Sequence, residues 1–135
     1  MRAGDQMPGI LIATLLATVS AKAPMEYASG DLLFSDCSGS RQFVIGYVSG
    51  WLDKWNRDEF LARRSFADAA GDPQAMVSIT RLGHSVGWNI CLPPGTTPII
   101  IGEMLCHFLQ ENPGVRSAEG DDLVMTVVTR SYGCR

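Results

Sequence analysis

Apolar residues recur along this chain at the spacing of helices rather than of strands. Val44, Tyr47, Val48, Trp51, Leu52 and Trp55 fall at i, i+3, i+4, i+7, i+8 and i+11 within SRQFVIGYVSGWLDKWNRDEFLARR, one face of a single helix. Ile101, Met104, Leu105, Phe108 and Leu109 form a second stripe in TTPIIIGEMLCHFLQENPG. Thr97 can cap that helix, Pro98 sits in the first turn where a missing N–H costs nothing, and Asn112-Pro113-Gly114 stops it. Leu123, Val124, Val127 and Val128 give the inner face of SAEGDDLVMTVVTRSYGC, which begins at Ser117. Its acidic start (Glu119, Asp121, Asp122) and Arg130 near its end suit the helix dipole, and Gly133 is placed to terminate it.

Two further segments carry weaker patterns. Ser29 can cap a short helix, GDLLFSDC, with Asp31 near its positive end. In PQAMVSITRLGHSVGWNI, Met76, Ile79, Gly83, Val86 and Ile90 recur at near-helical spacing. ADAAGDPQ and CLPPGTTP read as loops, broken by glycine and proline. Gly46 and Gly50 lower helix propensity inside the longest stripe, which predicts close approach of a neighbouring helix there. No segment alternates with period two. The expected fold is all-α, a single compact domain of about five helices.

Composition narrows the function. With 135 residues, a net charge of −3 and no run of Lys or Arg, the chain has room for one core and no basic footprint for nucleic acid. Its start is different in kind. MRAGDQMPGILIATLLATVSAKA has Arg2, then a short apolar run from Gly9 to Val19, then small residues, which is the layout of a secretory signal. Val19 and Ala21 suit cleavage after Ala21, and Pro24 disfavours a cut after Ala23. Residues 1–21 are therefore expected to be a leader and 22–135 the domain, exported and free of the membrane once cleaved. Export allows the cysteines Cys37, Cys91, Cys106 and Cys134 to pair, and an even count predicts two disulfides. Four cysteines permit three connectivities, and the sequence does not choose among them.

Catalytic and metal chemistry find little support. His107 follows Cys106 directly, and adjacent helical residues point about 100° apart, too far to act as nucleophile and base. His84 has no motif linking it to a cysteine. The cysteines lack the close pairs of a structural zinc site, and no glycine-rich loop follows a strand. Asp58-Glu59 and Asp121-Asp122 are adjacent on helices and hence splayed. The residues point to a secreted, stapled helical domain that binds a partner, with no catalytic residues, cofactor or metal.

SGDLLFSDC, VIGYVSGWLD, ICLPPGTT, a helix ending FLQENP and a final helix closing at YGC occur in this order. The series resembles the Rap/Tai family of immunity proteins of bacterial type VI secretion. On this resemblance Cys37, Cys91 and Cys134 match family cysteines, Gly46, Tyr47 and Gly50 match its glycine–tyrosine helix, Pro93 its turn, and Phe108, Leu109 and Pro113 its helix end. The resemblance implies a Cys91–Cys134 bridge. The family's second cysteine falls at Val44, and Cys106 is extra, which suggests a relocated bridge from Cys37 to Cys106. The stretch from Arg57 to Trp88 is longer than the family's spacing.

The resemblance further implies a periplasmic guard that binds a peptidoglycan amidase toxin and blocks its Cys–His cleft. Members are often homodimers. Two loops are candidate plugs: Phe66–Gln74, with Asp68 and Asp72, and Pro93–Thr97, with Pro93, Pro94 and Thr96. The alternative with the same fold class and leader is a small periplasmic helical chaperone or stress protein.

Overall fold

The computed structural model describes residues 28–135. The expected leader and its cut after Ala21 lie outside the described residues. Five α-helices follow one another: α1 (Gly30–Cys37), α2 (Gln42–Asp68), α3 (Pro73–Ser85), α4 (Pro98–Glu111) and α5 (Gly120–Tyr132), with a 3-10 turn at Pro113–Val115. Among the described residues the only β-pairing is two isolated bridges, and no helix is long and apolar enough to cross a membrane.

The helix starts follow from their caps. The Ser29 hydroxyl accepts from the Leu32 N–H, the Asp72 carboxylate from the Gln74 and Ala75 N–H groups, and the Thr97 hydroxyl from the Ile100 N–H. Each satisfies donors that the first turn leaves open. Glu119, rather than Ser117, precedes α5, and its side chain makes no cap. There the open N-terminus is met by backbone. Gly120 N–H donates to Ala28 O at 2.8 Å, while Gly30 and Asp31 N–H donate to Ala118 O and Arg116 O.

The stripes meet in one core. Leu33, Val44, Val48, Ile101, Leu105, Leu109, Val124 and Val128 are all fully buried. Each removes enough apolar surface from water to contribute about 1.5–3 kcal/mol relative to exposure. α4 lies at the centre, packed on α1, α2 and α5, and α3 packs on the outer half of α2. Tyr47, Trp51, Leu52 and Trp55 border this core half-buried, as the α2 stripe predicts.

Three local expectations need correction. First, α2 does not stop near Arg64 but runs to Asp68, because Phe66 packs edge-on against Trp88 at 5.2 Å and holds the last turn down. Second, α3 ends at Ser85, because Gly87 takes φ +81° and turns the chain so that Trp88 lies against Gly83. Third, among the described residues nothing lies within 4 Å of where a Cβ would stand on Gly46 or Gly50, so none of the five helices packs closely on them. Gly133 does end α5, at φ −59°. A Cβ there would stand 2.8 Å from Thr129 O, so close approach is what excludes a side chain.

Candidate binding surfaces

Both disulfides are formed, Cys37–Cys106 and Cys91–Cys134. The first pins α1 to α4 inside the core, where Cys37 and Cys106 are 8% and 6% exposed. The second lies at the surface and closes the chain end onto the segment before α4. It does not act alone. Cys91 N–H donates to Tyr132 O and Cys134 N–H to Asn89 O, both at 2.7 Å, around an antiparallel bridge between Ile90 and Gly133. With every cysteine bonded, no thiol remains to serve as a nucleophile. His84 and His107 both lie at the surface, and His107 Nδ1 faces Glu111 Oε2 at 3.1 Å one turn along α4.

The first candidate plug, at Pro93, Pro94 and Thr96, follows directly from this second clasp. Thr96 donates to Pro93 O through both its N–H (3.2 Å) and its hydroxyl (2.8 Å), and Gly95 takes φ +87°. Pro93, Pro94 and Gly95 are exposed at its tip. The result is a tight exposed turn with a fixed base, between a disulfide and the capped start of α4.

The second candidate loop is smaller than the sequence suggests. Helix geometry continues through Asp68, so only Ala69–Asp72 is loop, turned by Gly71 at φ +104°. Asp68 is exposed as the last residue of α2, not as a loop residue. Asp72 holds the α3 N-terminus with its carboxylate and is already occupied. No cavity among those described joins this loop to the Pro93–Thr96 turn. Pro113 opens the 3-10 turn after α4, a structural position.

A third feature was not foreseen. Gly46 and Gly50 floor an open groove of 630 Å³ between α2 and the start of α5, lined also by Ala28, Tyr47, Trp51, Lys54, Glu119 and Asp121. Trp51 stacks on Trp55 at 6.4 Å and 4°, and the Trp55 indole N–H donates to Gly87 O at 3.1 Å. The Tyr47 phenol is held above its usual pKa, first by burial and then by the charges of Asp121, Glu119 and Asp122. The two glycines in a strong helix were the available signal, but their spacing is equally that of a helix-packing contact.

These features define a stapled helical scaffold that offers a rigid turn and an aromatic groove. Residues 29–134 match the family model of the Rap1a immunity proteins, and the chain belongs to that family. No curated protein and no solved structure matches it. Both bridges anticipated above are present, Cys37–Cys106 and Cys91–Cys134.

Proposed function

We propose that the chain is a periplasmic immunity protein that binds a peptidoglycan amidase toxin of type VI secretion and blocks its active-site cleft. The match of residues 29–134 to an immunity family carries this reading, since immunity means binding a toxin. The likeness of its motifs to the Rap/Tai proteins supplies the amidase, the secretion route and the compartment, and adds a homodimer.

The Pro93–Thr96 turn is the favoured plug. A loop already held at its base by Cys91–Cys134 loses little freedom on entering a cleft, and that saving appears as affinity. The Ala69–Asp72 turn is the lesser candidate, because the Asp72 carboxylate is committed to the α3 cap.

The test is inhibition of purified type VI peptidoglycan amidases on isolated sacculi by the oxidised chain from Lys22. One amidase should lose activity on forming a stoichiometric complex. The double variant Cys91→Ser/Cys134→Ser should bind about tenfold more weakly if the braced turn is the plug. Broad suppression of client aggregation with no amidase inhibited would sink the reading and favour the chaperone alternative. Light scattering of the free chain checks the homodimer.

A further inference from the structure

The groove over Gly46 and Gly50 has an aromatic wall, an acidic rim and an open floor, and each has a consequence. Glycine inside a helix is less favourable than alanine. Here no tight contact among the described residues requires it, because a Cβ at either position would meet none of them within 4 Å. What the missing side chains leave is room. The groove's volume of 630 Å³ is ample for a long side chain of another molecule.

Its charge is one-sided. Glu119 and Asp121 line the rim, and the one cation beside them among the described residues, Lys54, is paired with Asp58. The phenol of Tyr47 feels Asp121, Glu119 and Asp122 together, so the negative potential reaches the floor. The protein also shows what its aromatic rings accept elsewhere. Arg116 lies over Phe34 at 3.4 Å, Arg63 over Trp88 at 5.2 Å and Arg130 over Phe108 at 5.2 Å. Among the described residues, Tyr47 and Trp51 have no such cation, although they stand beside the acids. A guanidinium can stack on an indole face and donate to carboxylates at its edge at the same time.

We infer that this groove is a docking site for a protein segment that lays an arginine side chain between Trp51 and the carboxylates of Glu119 and Asp121, over the floor made by Gly46 and Gly50. The site is separate from the Pro93–Thr96 turn, and it does not depend on the partner being an amidase. A bound segment would close over the glycines with its backbone while the guanidinium meets the carboxylates of the rim.

The test is an amide and indole NMR titration of the oxidised chain from Lys22 with acetyl-Gly-Arg-Gly-amide, and with the same peptide carrying neutral citrulline. The arginine peptide should move the Gly46, Gly50 and Gly120 amides and the Trp51 indole, and should bind about tenfold more tightly than the citrulline peptide. Gly50→Leu fills the floor with a better helix former, so it should keep the fold and abolish these shifts. Asp121→Asn should weaken binding without filling the groove. The inference is overturned by equal binding of the two peptides, by no response at millimolar peptide, or by shifts spread equally over Asp31, Asp68 and Asp72. It is also overturned if the same signals move on dilution of the free protein, which assigns the groove to a second copy. Shifts there on shortening the chain to start at Ala28 would assign it to the chain's own preceding segment and overturn it as well. None of these outcomes bears on amidase inhibition, so the two readings can fail separately.

Discussion

The inner and outer parts of the molecule are held by different means. In the inner bundle of α1, the first half of α2, α4 and α5, all eight fully buried large side chains meet, and Cys37–Cys106 crosses the middle. In the outer hairpin, the second half of α2 against α3, only Ala62 and Gly83 are buried. Phe60, Leu61, Val77 and Leu82 there stand 60%, 45%, 54% and 53% exposed. The hairpin is fastened instead by one wedge. Trp88 fits over Gly83, meets Phe66 edge-on and lies under Arg63, whose Nη2 also donates to Trp88 O at 3.3 Å. A few specific contacts replace bulk burial where the chain is long and the core does not reach.

Three substitutions sharpen the contrast, and chemical denaturation reads each of them. The largest effect belongs to the bundle. Replacing Cys37 and Cys106 together with alanine should cost about 4 kcal/mol, since the bridge closes a long loop and its sulfurs fill core space. Equal loss from removing the surface bridge Cys91–Cys134 would weaken the claim that the bundle dominates. Next comes Gly83→Ala. Alanine is the better helix former, yet a Cβ here would stand 1.9 Å from the Trp88 ring, so the wedge must shift and about 2 kcal/mol should be lost. A stabilising result would show that the hairpin does not depend on Trp88. The smallest effect is expected for Val77→Ser, within about 0.5 kcal/mol, as for an exposed side chain. A loss comparable to that of Gly83→Ala would mean that this face is covered in solution.

The pattern of burial was legible wherever a stripe was dense. The α5 stripe of Leu123, Val124, Val127 and Val128 is buried throughout, and in α4 Ile101, Leu105 and Leu109 are buried while Met104 and Phe108 at the stripe's edge are half-buried, because the dense aliphatic positions lie on one face. The α3 pattern did not carry as far. Its apolar positions are diluted by Ser78, Thr80 and Gly83, and its end was decided by Gly87 and the seat of Trp88. The candidate plugs divide in the same way. Pro93, Pro94 and Thr96 form the turn that two prolines and a glycine require. Asp68 was misplaced because a helix end held by a distant tryptophan leaves no mark in the local sequence.

Glycine marks the boundary between the two kinds of knowledge. Spacing alone cannot separate Gly30 and Gly120, where a Cβ would collide at 2.6 and 2.8 Å, from Gly46 and Gly50, where it would meet none of the described residues. The amino-acid order by itself determined the helix count, the inner faces, the caps at Ser29 and Thr97 and the even cysteine count, because these depend on neighbours a few residues away. The tertiary structure alone decided which glycines are contacts and which are openings, how far α2 runs and that an acidic aromatic groove exists. Those depend on residues distant in the chain, and the closeness of distant residues is a property of the packed fold.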